Sequence, residues 1–242
     1  VVSTRLSAQF SAAASISEQL SGITNLFFLR ELAEQIENDW PAVLADLEKI
    51  RSTLINQSQM FCNVTVDNDG YQTFEPHLTG FIESIPTFES APAGWQFPLV
   101  KQNEGLTMPA QVNYVGKGAN LYELGYEMHG SILPITNYLR TTWLWSNVRV
   151  QGGAYGAFCR FARRSGTLSY VSYRDPNLTG TLNVYDGTAN FLRSTKLDEN
   201  DLIRSIIGSI SSIDAYELPD AKGSTSMLRY LIGDKAEDRQ RI

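Results

Sequence analysis

Residues 154–173 read Ala154-Tyr-Gly-Ala-Phe-Cys-Arg-Phe161, then Ala162-Arg163-Arg164-Ser165-Gly166, then Thr167-Leu-Ser-Tyr-Val-Ser-Tyr173. Two runs enriched in aromatic and β-branched residues, joined by a short polar stretch that closes on glycine, predict an antiparallel hairpin with strands over 154–161 and 167–173. Immediately upstream, Trp143-Leu-Trp-Ser-Asn-Val-Arg149-Val-Gln-Gly152-Gly153 reads as a helix end that delivers an arginine to a double-glycine bend. Glycines there allow tight turns and close approach of another backbone. Downstream, Asp175-Pro176-Asn177 opens a helix expected to run to about Leu192. Strands with helices grouped around them give an α+β class, an antiparallel-rich sheet with helices packed on one face.

Working outward toward the N-terminus, Arg5 to about Ile36 keeps a helical apolar period, with Gly22 as a break. Asp39 is a candidate N-cap with Pro41 in the first turn of a helix over 41–55, on which Val43, Leu44, Leu47, Ile50 and Leu54 share a face. A strand is expected over 60–66, a turn at Asp67-Asn68-Asp69-Gly70, and a helix from Phe74 to Ile85. From Pro86 to Pro109 the pattern dissolves into a proline- and glycine-bearing linker. Beyond it come a strand over 111–115 and a helical stretch over 122–147, broken near Gly130 and Pro134. On the C-terminal side, Asp198 caps a helix to about Ile213, and helical stretches follow over 220–231 and from Lys235. The expected organisation is a region over 1–85, a linker over 86–108 and a second region over 109–242.

With 242 residues, 43% hydrophobic and 19% charged, the chain can bury a substantial core. A net charge of −6 argues against nucleic acid as a partner, because phosphate binding needs a dense basic face. Arg160, Arg163 and Arg164 are better read as a solvated strand edge than as such a face. No apolar run is long enough to span a membrane, so none is expected as a partner. Cys62 and Cys159 sit among apolar neighbours and read as buried free thiols. The start at Val1-Val2-Ser3 and the end inside a helical pattern suggest a piece of something longer.

The two histidines, His77 and His129, are far apart in sequence and neither belongs to a helical pair with a carboxylate, so no metal site is expected in this chain. There is no G-x-S-x-G elbow, and Lys222-Gly223-Ser224 lacks the first glycine of a phosphate loop. The chemistry-bearing candidates are Arg149 and Tyr155, with Gly152, Gly153 and Gly156 as the supporting backbone. An arginine fork suits peptide carbonyls or carboxylates, and a phenol can donate to a developing oxyanion. The plainer reading of the same residues is a helix–strand junction with a surface arginine and a packed tyrosine. A third idea, small-molecule chemistry at Tyr170 and Tyr173, competes with core packing because the two alternate on one strand.

The bend Gly152-Gly-Ala-Tyr-Gly156 with Arg149, then Ser169-Tyr-Val-Ser-Tyr-Arg-Asp-Pro-Asn177, Tyr185-Asp-Gly-Thr188 and Phe191-Leu-Arg193, resembles the presequence-protease branch of the insulinase/pitrilysin zinc metallopeptidase family. Gln111-Val-Asn-Tyr-Val-Gly-Lys117, Ser17-Glu-Gln-Leu20 and Leu218-Pro-Asp-Ala-Lys-Gly223 extend the resemblance over almost the whole chain. The resemblance implies four similar α+β domains in two halves that close around a chamber, with zinc and its motif in the first domain. Residues 1–85 would then match the end of the third domain and 109–242 most of the fourth, non-zinc domain. Arg149 and Tyr155 match an arginine and a tyrosine that reach the substrate backbone beside the zinc. The implied function is the C-terminal segment of a zinc-dependent endopeptidase for unfolded targeting-type peptides, inactive alone, with zinc in the missing N-terminal half. The implied partners are that half and the unfolded peptide, in a cytoplasm or organelle matrix. The alternative is a catalytically inert binding or scaffold domain of the same family. The helix over 41–55 and strand over 60–66 are also expected to complete the fourth domain's sheet, within one chain or by exchange in a domain-swapped dimer.

Overall fold

The computed structural model describes residues 1–89, 94 and 96–235. The fold divides into two compact units. The first unit joins Val1–Phe27 to Phe97–Ala215; the second takes residues 28–89 and 216–235.

The first unit contains the hairpin. Strands β1 (Gly116–Asn120), β2 (Gly156–Ala162) and β3 (Thr167–Tyr173) form an antiparallel sheet of order β1-β3-β2. In the β2–β3 pair Gly156 lies opposite Tyr173 and Ala162 opposite Thr167. Gly166 closes the turn at φ 69°, where a Cβ would fall 2.5 Å from the Tyr122 ring. Side chains alternate across the sheet, so Ala157, Cys159, Leu168 and Tyr170 point to one face. There they meet Leu139 of α6 (Ile132–Thr141), Leu144, Val148 and Tyr185 of α7 (Thr179–Ser194). Leu139, Leu144 and Val148 are at most 2% exposed. Each such side chain stabilises the fold by ~1.5–3 kcal/mol relative to leaving it in water. Polar groups inside this core are paired: Trp143 Nε1 donates to the Val184 carbonyl (3.0 Å) and the Tyr185 hydroxyl to the Val115 carbonyl (3.3 Å).

The opposite face is not bare. Helix α1 (Val2–Ala8) lies on it, with Leu6 and Val2 over Gly116 and Gly118. The sheet is therefore covered on both faces, not on one as the sequence suggested. This also explains why a strand forms from Gly116-Lys-Gly-Ala-Asn120, a poor β sequence. A Cβ on Gly118 would sit 2.8 Å from the Leu168 carbonyl and 3.2 Å from Leu6 Cδ2. The strand expected over 111–115 thus falls a few residues later, and only Asn113 of that segment makes a bridge, to Asp175. Arg5 of α1 binds Glu104 (2.8 Å) and the buried Glu18 (3.3 Å) of α2 (Ala12–Ser21).

Helix α3 (Ile23–Asn38) leads into the second unit, which holds α4 (Trp40–Leu54), α5 (Asn68–Glu83) and α9 (Pro219–Ile232); α8 (Glu199–Ile213) belongs to the first. Asp39 caps α4 by accepting from the Ala42 amide, and Asp198 caps α8 through the Asp201 amide, as their sequences predict. Of the apolar face expected on α4, only Val43 is buried. Asp67 accepts from the Gly70 amide and so starts α5 six residues before Phe74; the expected turn is a helix N-terminus. The strand expected over 60–66 does not form: after a short 3-10 turn the chain runs as coil, with Phe61 stacked on Tyr230 of α9 (5.7 Å). The sheet is built from β1, β2 and β3, so that segment does not complete it. Cys159 is buried as expected, but Cys62 is exposed; both thiols are free. The helix expected from Lys235 lies largely outside the described residues.

Candidate functional site

The helical stretch after α6 widens into a π-turn over Trp145–Gln151 before the chain bends into β2. Such widening is frequent at functional sites. Its last turn is tied across the bend: the Gly153 amide donates to the Arg149 carbonyl (3.0 Å) and the Ala154 amide to the Val148 carbonyl (3.1 Å). Both glycines are required. A Cβ on Gly152 would lie 2.5 Å from the Val148 carbonyl oxygen, and Gly153 sits at φ 78°. Gly156 opens β2 with the Phe158 ring 3.2 Å from where its Cβ would be.

Arg149 is exposed, and its guanidinium stacks 4.0 Å from the centre of the Trp145 ring. Stacking on an indole holds the planar fork by its face and leaves the N–H donors at its rim. Tyr155 is 68% exposed. Its amide donates to the Tyr173 carbonyl (3.0 Å) and its ring meets Tyr173 edge to face at 5.8 Å. Tyr173 in turn meets Tyr114 at 5.4 Å, so three exposed phenols form a row beside the bend. Arg174 follows at φ 49°, unusual for a residue with a side chain. Behind the bend, Asn177 Nδ2 donates to the Gly152 carbonyl (2.6 Å). Asn147, Gln151, Gly152, Asn177, Thr181 and Val184 line an open cleft of about 250 Å³ there, and neither Arg149 nor Tyr155 reaches it.

The deeper phenols and thiol are electrostatically quiet. Burial pushes Tyr170 up to about 12, despite a bond with Thr188, and pushes the Cys159 thiol up to about 12. Tyr185 is raised by the same cause. Tyr170 stacks on Tyr185 at 5.2 Å in the core, which removes it as a site for small-molecule chemistry. His77 is exposed on α5, and exposed His129 pairs with the Ser131 hydroxyl (2.8 Å).

The PreP C-terminal domain family model matches residues 103–242. The chain belongs to this family. It is 43% identical to presequence protease 1, chloroplastic/mitochondrial, of Arabidopsis thaliana, covering 100% of this chain and 22% of that protein. It is 32% identical to protein HypA of Clostridium perfringens (93% and 23%) and 24% identical to the mitochondrial presequence protease of Saccharomyces cerevisiae (96% and 25%). The chain thus spans about a quarter of the length of these relatives.

Within this family member, the sequence named Arg149, Tyr155 and the three glycines, and all five cluster at one bend of the first unit. Sequence reading missed Trp145 beneath the guanidinium and Tyr114 beside Tyr173. It took Asp175-Pro176-Asn177 as a helix start and as part of the resembling stretch, and assigned Asn177 no contact with the bend. The Asn177 bond to Gly152 joins segments 25 residues apart, and no local signal announces it.

Proposed function

We propose that this chain is the C-terminal, non-zinc segment of a zinc-dependent endopeptidase of insulinase/pitrilysin type that degrades unfolded, targeting-type peptides. The observation that carries the reading is an exposed guanidinium and an exposed phenol at the two ends of one glycine bend. On this reading Arg149 donates to peptide carbonyls and holds the substrate backbone, while Tyr155 donates to the oxygen on which charge develops. The family-implied zinc belongs to the N-terminal half, where it supplies the activation of water. Among the described residues no three His, Cys, Asp or Glu side chains gather as a ligand set. The partners are that half and the peptide, not nucleic acid or a membrane. No described helix is long and apolar enough to cross a membrane. The names of the Arabidopsis and yeast relatives point to an organelle matrix; a bacterial cytoplasm fits the same chemistry.

The test is steady-state cleavage of an unfolded peptide by the full-length protein carrying Arg149→Ala or Tyr155→Phe. Losing an oxyanion donor lowers kcat by about 10²–10³-fold, and Tyr155→Phe is expected in or near that range. Arg149→Ala is expected to raise KM and lower kcat together. Wild-type kinetics in both folded variants would remove the assignment and leave the inert binding domain as the better reading.

A further inference from the structure

The loop over 173–177 grips the bend at both ends. At one end, the Tyr173 carbonyl accepts from the Tyr155 amide (3.0 Å) and its ring supports the Tyr155 ring. At the other, Asn177 Nδ2 donates to the Gly152 carbonyl (2.6 Å), an oxygen at the end of the π-turn. The loop itself is anchored through Asp175, which is 0% exposed. One carboxylate oxygen accepts from the Asn177 amide (2.9 Å), and the other from the Thr181 hydroxyl in the first turn of α7 (2.7 Å). The Asp175 backbone exchanges both bonds with Asn113, at 2.7 and 2.9 Å. Between the two grips Arg174 is held at φ 49°. A left-handed residue with a side chain persists only where its neighbours are fixed, and here Tyr173 and Asp175 both are.

We propose that Asn177, set by the buried carboxylate of Asp175, is a positioning residue that fixes the Gly152–Gly153 bend and thereby the places of Arg149 and Tyr155. The inference rests on the peptide-contact reading above. Asn177 acts through the bend and touches no reacting atom. It is exposed, so its removal uncovers no core, yet it releases the side-chain bond to the Gly152 carbonyl. A structural role would show as lost stability; a positioning role shows as lost turnover with stability kept. Misplacing a reacting group by about 1 Å can cost up to ~10²-fold in rate.

The experiment uses the full-length peptidase with Asn177→Ala and the near-isosteric Asn177→Asp, which replaces the donor by an oxygen facing an oxygen. Both should lower kcat about tenfold and raise KM, because Tyr155 and Arg149 are displaced together, with a thermal midpoint close to the parent. Amide exchange at Gly153–Tyr155 should quicken in both. In the double variant with Tyr155→Phe, the combined loss should fall short of the product of the two, because Asn177 works in part through Tyr155. Unchanged exchange at the bend overturns the latch. Faster exchange with parental kcat, while Tyr155→Phe is slow, overturns the positioning role and leaves the function standing. Parental kcat in Tyr155→Phe and Arg149→Ala overturns the function and the inference with it.

Discussion

Gly153→Ala isolates the backbone cost of the bend. Gly153 lies at φ 78°, where a Cβ crowds its own carbonyl, and the nearest other atom to an added Cβ is Pro176 Cγ at 3.5 Å, an ordinary contact. The penalty is therefore conformational, not steric with neighbours, and amounts to about 1–2 kcal/mol. For a protein of this size that is a fall of roughly 2–8 °C in Tm. Gly180→Ala in the first turn of α7 is the control within the same unit: its Cβ would meet Asn177 Cβ at 3.8 Å, with helical backbone that alanine prefers. It should stabilise by up to ~1 kcal/mol. Urea unfolding followed by tryptophan emission, with Trp143 and Trp145 adjoining the bend, reads both. A Gly153→Ala protein as stable as the parent would refute the idea that the bend is held in the left-handed region.

Three further outcomes follow from the packing. Under native conditions a thiol reagent should label Cys62 quickly and Cys159 only after denaturation, because one is exposed and burial raises the other's pKa; equal rates would contradict the placement of β2. The Cys159 thiol moves from 9.0 to about 12 and the Tyr170 hydroxyl from 10.0 to about 12 on folding, so the folded state holds these protons more tightly. Their contribution is complete below pH 9 and is lost as pH rises from about 9 to 12, which denaturant titrations at pH 8, 10 and 11 would follow; stability that rises over that window would disprove it. Gly118→Ala should destabilise by about 1–3 kcal/mol, since its Cβ meets the Leu168 backbone carbonyl at 2.8 Å, and a neutral result would mean that β1 lies less close to β3.

Local chemistry made much of this molecule legible. Aromatic alternation and a closing glycine located β2 and β3 within two residues at each end. Asp39 and Asp198, each ahead of an apolar helical period, located two helix starts, because a carboxylate that satisfies an orphan amide is a short-range event. Asp67 shows where the same logic went astray: an aspartate-rich stretch with glycine suits a turn or an N-cap, and the following helix decided between them. The failures at Gly116–Asn120 and 60–66 have one cause. A glycine-rich strand exists because α1 crosses close above it, and a β-branched run stays unpaired while Phe61 stacks on Tyr230.

The sequence by itself determined the α+β class, the hairpin, the capped helices and the Arg149–Tyr155 bend, because periodicity, capping and glycine freedom act over a few residues. Only the tertiary structure decided that α1 covers the second face of the sheet. Tertiary contacts also closed the bend with Asn177. Those contacts depend on distances between elements remote in sequence, which no local preference encodes.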